Sequence, residues 1–549
     1  MLITNSKKYK SLTRESRIFA QKAARSIVEI QQGVNNLADI VVLLEVLGYD
    51  KEFVAKHGFE NLYDLAKYIY DFIDTYYDEE QDKGTVESHS MILPTPKQIL
   101  AEGLALIFPW LGSLLLLFMT GVSLWMALTL PKGITTAFVG GVFLGLFITE
   151  GPLQAFQRLF TFYYNQSNVG EVKRAIRRSY LTVSIFVVSV SAGLFIASEI
   201  MNFPHSLAAI ASLSMITISF HRTSYMVMYA LKKIKHLIIS YSGAFGTIVA
   251  VYFSLDGIIP SETLRYFLAL GGAFVVLTIF SIPHNYKIIT KTTIGTITRE
   301  APHFYNPAAV NDKTLGSKFS VQLWETLPHF LFGMSYFAML FSDRIISWRY
   351  HPEIISGNGQ IIEFNSAYHM GADLALLVIL SASMLQYVIM APIHIRLNNV
   401  ILHLTVTESG KIDSYLKKQY QTLLILSVIA SVGVCAVLVF FAPQIMIQLG
   451  GTEKSVQILR FAAISNVFLS IFATNGIFAM FLNKIKPLLF IAVTSTVLIV
   501  GLGLIIGKMG YEYVVFAYLT STVFSSIVST IYVRRIMKNA GTRFFARYI

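Results

Sequence analysis

Twelve predominantly apolar stretches follow one another from Gln98 onward, each long enough to cross a hydrocarbon layer of about 30 Å at about 1.5 Å per residue. Their expected limits are 98–129, 134–160, 176–201, 205–230, 235–256, 262–287, 319–348, 368–394, 415–441, 455–482, 487–507 and 512–534. Nothing else constrains the fold as tightly. A lipid-exposed segment must satisfy its own backbone N–H and C=O groups, so each stretch has to be a helix. Only 14% of the 549 residues are charged and 54% are hydrophobic, where soluble chains carry about a quarter charged residues. The chain reads as an all-α polytopic membrane protein.

Charge placement orients the helices. Of the 44 basic residues, only Lys132, Arg265, Arg344, Arg349, Lys454, Arg460 and Lys508 fall in one alternate set of connections. The others lie in residues 1–97, in or toward the opposite connections (among them "EVKRAIRR", "LKKIK", 287–318, "SYLKK" and "NKIK") and in the C-terminal tail, with Arg158 and Arg222 inside the segment ends on that side. Cytoplasmic loops carry the Lys/Arg excess, so both termini are expected in the cytoplasm. The same scatter explains the net charge of +12 without a nucleic-acid partner. The single cysteine, Cys435, excludes an internal disulfide, and no apolar leader opens the chain.

Residues 1–95 form a different region, with charges throughout and helical periodicity. Leu62, Leu65, Ala66, Ile69, Phe72, Ile73 and Tyr76 share one helix face. "VNNLADIVVLLEVLG" predicts another helix, capped by Gly48. The expected order is an N-terminal cytoplasmic helical domain (1–95), a first six-helix half (96–290), a cytoplasmic connection (291–318), a second six-helix half (319–540) and a tail (541–549). "EEQDKGTVESHS" reads as an exposed linker.

The halves echo each other. Pro109 and Pro328 lie about ten residues into the first and seventh segments, and Pro152 and Pro392 lie toward the cytoplasmic ends of the second and eighth. Helices interrupted at matching places point to a transporter built from parallel repeats with its site between them. A charge at the bilayer centre costs roughly 2.5 kcal/mol or more, so each polar group there must face protein or water. The pathway candidates are Glu150, Gln154 and Arg158 on segment two, Arg222 on four, Glu325 and His329 on seven, and Asp373, Gln386, His394 and Arg396 on eight. Glu325 and His329, four apart, suit either a structural pair or a site. Asp343, Arg344 and Trp348 end segment seven at the extracytoplasmic interface, either as a headgroup anchor or as pathway lining. Asn475 reads as an interhelical hydrogen bond.

Catalytic signatures are missing. "GLGLIIGKMG" misses the phosphate-binding loop, because Leu502 stands where its first glycine is required and Met509 follows the lysine. No H-E-x-x-H or D-x-D occurs, and the longest outer connection, about 349–367, is too short for a catalytic domain. No enzyme activity, metal or cofactor is expected.

"EGLALIFPWLGSLLLL", "FITEGPLQAFQRLFTFYYNQ" and "GMSYFAMLFSDRIISW" resemble segments of the multidrug/oligosaccharidyl-lipid/polysaccharide (MOP) exporter superfamily, most closely its Pel exopolysaccharide inner-membrane transporters. The resemblance is diffuse over residues 98–540. It implies export or flipping of a polysaccharide or lipid-linked glycan across a prokaryotic plasma membrane by alternating access, fed by cytoplasmic glycosyltransferase or synthase subunits. It carries Gly151, Pro152, Gln154, Arg158, Asp343, Arg344 and Trp348 over as matching positions. On this reading Glu150, Gln154 and Arg158 face Glu325, His329, Gln386 and His394. The alternatives are a cation-coupled multidrug antiporter and a non-transporting scaffold of a synthase complex.

Overall fold

The computed structural model describes residues 13–30, 37–71, 96–125, 130–165, 169–231, 233–286, 319–355, 361–401 and 409–540. The linker 79–90, the connection 291–318 and the tail 541–549 lie outside them.

Before the first long helix, short helices Arg14–Ile30, Leu37–Val46, Lys51–Lys56 and 62–71 share a core that includes Ala24, Ile27, Ile40, Leu44, Leu65 and Ile69. The expected cap is in place: Gly48 adopts φ +83°, the Gly48 amide donates to Glu45 O and the Tyr49 amide to Leu44 O. Those two bonds satisfy the last carbonyls of the helix, and only glycine takes that backbone conformation without strain. Asp50 then caps the next helix by accepting from the Phe53 amide at 2.7 Å.

A long helix stands at every one of the twelve apolar stretches. These are α1 (Pro96–Thr120), α2 (Lys132–Asn165), α3 (Val169–Ile200), α4 (His205–Ala230), α5 (Ile234–Ser254), α6 (Glu262–Tyr286), α7 (Phe319–Arg349), α8 (Ser366–Leu374, then Leu376–Ile401), α9 (Ser409–Gln448), α10 (Glu453–Phe481), α11 (Lys486–Ile506) and α12 (Val514–Ile536). Among the described residues, 10 helices are long and apolar enough to cross a membrane by length and composition. The other two are α4 and α7. They carry His221–Arg222 and Asp343–Arg344, and that charge lowers their apolarity.

The packing repeats. In the first half α2 packs on α3 and α4, α4 on α3 and α6, α5 on α6, and α1 on α5. Adding six to each number reproduces the second half: α8 on α9 and α10, α10 on α9 and α12, α11 on α12, and α7 on α11. The seams between halves obey the same operation, because α2 packs on α7 and α8 on α1. Small residues permit the closest pairs. A Cβ on Gly371 of α8 would sit 2.7 Å from Ser455 O and 2.8 Å from Leu459 N of α10. Gly141 and Gly145 of α2 meet α4 in the equivalent place.

The prolines do not interrupt the helices. α1, α2 and α7 run through Pro109, Pro152 and Pro328, and α8 is continuous from Leu376 through Pro392. Each proline removes one backbone donor and one bond, which a long packed helix tolerates. The break falls instead at Ala375 of α8. Side chains take up the exposed carbonyls there: Asn466 Nδ2 donates to Ala375 O at 2.8 Å, and Arg344 donates to Ala372 O at 2.9 Å.

Candidate functional site

Two buried charge clusters abut the α2–α7 seam, which glycines bring together near the middle of both helices. A Cβ on Gly333 of α7 would lie 2.7 Å from Gln154 Cγ and 3.0 Å from Glu150 O. One on Gly151 would meet Phe330 and Met334 of α7 at 3.0–3.1 Å. A charge at this depth must find its partner inside the protein. Glu150 does so in α4: Arg222 donates to Glu150 Oε2 at 2.5 Å, to Thr149 Oγ1 at 2.8 Å and to Leu146 O at 3.0 Å. Gln154, one turn on, donates to Glu150 Oε1 at 2.8 Å. One carboxylate meets one guanidinium, so this cluster is neutral.

The second cluster joins α7 to the first turns of α8. Arg344, 1% exposed, donates from Nε to Asp373 Oδ1 at 2.8 Å, and from Nη1 to Asp343 Oδ1 at 3.3 Å and to Leu340 O at 2.9 Å. Asp343 is fully buried and also accepts from the Tyr368 hydroxyl at 2.8 Å. Asp373 meets His369 Nδ1 at 3.2 Å through its other oxygen. His369 Nε2 receives the Trp348 indole N–H at 2.9 Å. An indole can only donate, so Nε2 is an acceptor and the imidazole proton sits on Nδ1, donated to Asp373. The imidazole is therefore neutral, and two carboxylates face one guanidinium. The cluster holds one surplus negative charge, and Asp373 is its only carboxylate with an appreciably exposed side chain, at 32%.

Asp343, Arg344 and Trp348 are therefore not a headgroup anchor. Trp348, 2% exposed, stacks on Phe143 of α2, and Arg344 lies over the Phe341 ring at 5.4 Å. The anchor expectation fails because α8 and the connection before it, with Phe364 and His369, fold over the end of α7. Aromatic rings bridge the two clusters. Arg222 lies 5.1 Å from the Phe337 ring, Phe337 is 5.7 Å from Phe341, and Phe143 stacks on Phe341 at 4.5 Å.

The seams are also tied at the ends where α1 and α7 begin. Buried Gln322 of α7 donates to Tyr163 of α2 at 2.8 Å and to Glu171 of α3 at 3.1 Å, and accepts from Arg178 of α3. On the other seam Tyr387 of α8 donates to Glu102 of α1. At the opposite end of the α2–α7 seam the Phe364 amide donates to Thr136 of α2 at 2.8 Å, and Lys132 stands 4.0 Å from Glu363.

The remaining candidates scatter. Arg158 is half-buried one turn beyond Gln154, Glu325 is exposed, and His329 is buried one turn deeper on α7. Gln386 donates to Thr474 and Ser470 O of α10, inside its own half. Asn475 bonds Ser529, Thr530 and Tyr420, so it does tie helices together. His394 and Arg396 fall on the last turns of α8, and their side chains lie outside the described residues. Sequence reading brought together Glu150 with Gln154, and Asp343 with Arg344 and Trp348. It missed Tyr368 and His369, although His369 stands four residues before Asp373, a spacing that puts both on one helix face. Among the described residues no group of His, Cys, Asp and Glu could hold a metal ion.

The backbone, in contrast to the sequence, has clear relatives. An outward-facing multidrug resistance MATE family transporter of the MOP superfamily superposes with a TM-score of 0.55 at 14% identity, over 81% of this chain and 96% of that one. MATE in the straight conformation gives 0.53 at 15% identity, over 80% and 94%. The chain has the MATE transporter fold. A MOP superfamily transporter from Pyrococcus furiosus, described as having a binding pocket of reversed polarity that suggests a different function, gives 0.53 at 14% identity, over 81% and 96%. No protein-family model and no curated protein matches the sequence. The MATE fold accounts for the two halves, and none of these relatives is a Pel transporter.

Proposed function

We propose that this protein is a proton-coupled secondary transporter that moves its substrate outward across a prokaryotic plasma membrane by alternating access, with both termini cytoplasmic. The observation that carries the reading is the surplus negative charge buried between α7 and α8 in a twofold-repeated bundle. A fixed charge in low dielectric is expensive, and an added proton relieves it. The proton has three places to go, and on Asp343 it weakens the contact with Arg344 at 3.3 Å. On Asp373 it weakens the pair with Arg344; on His369 Nε2 it ejects the Trp348 N–H. Each change loosens the contact of α7 and α8 with Phe143 of α2, so protonation is linked to the seam between the halves. Protein relatives of the same fold include an outward-facing and an inward-facing form, the two end states such a cycle needs.

As substrate we favour a small amphipathic cation, which would make the protein a cation-coupled multidrug antiporter. In this role the Glu150–Arg222 pair is a clamp that holds α2 to α4 rather than a coupling site. A second reading, export of a polysaccharide or lipid-linked glycan together with synthase subunits, is favoured by the separately cored helices at 14–71, since a self-sufficient antiporter needs no such attachment. Deleting the gene separates them. Loss of resistance to lipophilic cations with normal secreted glycan supports the antiporter; loss of secreted glycan with unchanged resistance overturns it in favour of the glycan exporter.

A further inference from the structure

We infer that the first half carries a binding site for one acyl chain of an outer-leaflet phospholipid, between α4 and α6 and independent of the transport pathway. A cavity of about 320 Å³ opens there, lined by Phe138 and Val142 of α2, Ile210 of α4, and Phe267 and Phe274 of α6. That volume is at the lower end for small-molecule pockets, which are mostly apolar with a few placed polar groups. The site lies away from the seam: Phe138 and Val142 point toward the cavity, whereas Gly140, Phe143 and Gly151 of the same helix meet Trp348, Phe341 and Phe330 of α7.

Three features select a lipid chain. First, the cavity reaches the surface at Leu213 of α4, 62% exposed, and at exposed Gly271 of α6, whose missing side chain leaves open space. The flanking surface is apolar, with Leu264, Leu268 and Val275 exposed on α6, so the neighbour at this mouth is hydrocarbon. Second, the hydroxyls in the lining are already spent within the protein. Ser214 donates to Phe138 O and Ala211 O, and Thr217 donates to Leu213 O. Third, Trp125 lines the cavity from the connection after α1, and its indole N–H is buried with no acceptor among the described residues. A buried donor without an acceptor is costly. A phospholipid whose chain enters between α4 and α6 brings an ester carbonyl to the level of that connection, where tryptophan commonly meets the membrane interface.

The test is lipid retention by the full-length protein. After reconstitution in phosphatidylethanolamine–phosphatidylglycerol vesicles and transfer to mild detergent, native mass spectrometry should find one phospholipid that outlasts the loosely held ones. Gly271→Trp, which fills the mouth, should lower its occupancy at least tenfold. Trp125→Phe, which keeps an aromatic ring and removes the donor, should lower it about fivefold. Val275→Trp, on the lipid-facing surface beside the cavity, should leave it unchanged. No retained lipid in the unmodified protein, retention of a polyprenyl phosphate in its place, or equal retention in a well-folded Gly271→Trp would each overturn the proposal. Should Gly271→Trp fail to fold, quenching by phospholipid brominated on its acyl chain decides. In a Trp324→Phe background, which removes the exposed tryptophan of α7, a clear fall in quenching on adding Trp125→Phe supports the site, and unchanged quenching overturns it.

Discussion

Each half buries an arginine against the α2–α7 seam, but the two are compensated differently. Arg222 meets one carboxylate, and their side chains keep 20% and 11% exposure. Arg344 meets two carboxylates, is 1% exposed, and spends its remaining donors on Leu340 O and Ala372 O. The first arrangement is a balanced pair with some access to water. In the second, two carboxylates face one guanidinium: Asp343 and Arg344 are shut off from solvent, Asp373 keeps 32% of its side chain exposed, and Tyr368 and His369 hold the two carboxylates. Structure alone does not need that imbalance, since a neutral pair serves the first half. The comparison supports the proposal that a proton acts in the second half while the first half's pair holds helices together.

Removing the arginines should break the symmetry most visibly. Arg344→Ala strands two carboxylates and should cost about 3–5 kcal/mol, read as the largest fall in thermal unfolding temperature in detergent. Arg222→Ala should cost clearly less, because water can reach Glu150; equal losses would erase the distinction. Tyr368→Phe removes a donor to a buried carboxylate and should cost about 1.5–3 kcal/mol by the same measurement. Gly333→Ala tests the seam. Its methyl would press on Glu150 O and Gln154 Cγ, at about 1–3 kcal/mol, and should widen the α2–α7 distance in spin-label measurements. The smallest effect belongs to Gln386→Leu, about 0.6 kcal/mol, since it trades one interhelical hydrogen bond within a half.

The bilayer explains what the sequence made readable. Spanning helices must be long and apolar, so all twelve announce themselves, and the buried polar residues stand out against them. Their partners do not. Arg222 and Glu150 are 72 residues apart, and only the packing of α4 on α2 brings them together. Of the two readings open for Arg344, the headgroup anchor requires exposure to lipid or water. The later segment with Phe364 and His369 that covers the end of α7 takes that exposure away. The break in α8 carried no proline signal. It is sustained by Arg344 and Asn466, which bond the carbonyls of Ala372 and Ala375 from two other helices. Pro109, Pro152 and Pro328 gave a strong local signal for breaks that packing absorbs.

Paired isosteric variants in proteoliposomes test the central claim most directly. With an imposed pH gradient and a fluorescent lipophilic cation as probe, Asp373→Asn removes the surplus charge and should abolish gradient-driven movement, a loss of at least a hundredfold. Glu150→Gln, at equal protein abundance, should retain movement within about threefold and the same dependence on pH. Gradient-driven transport that persists in Asp373→Asn and disappears in Glu150→Gln would move the coupling charge to the first half and contradict this account.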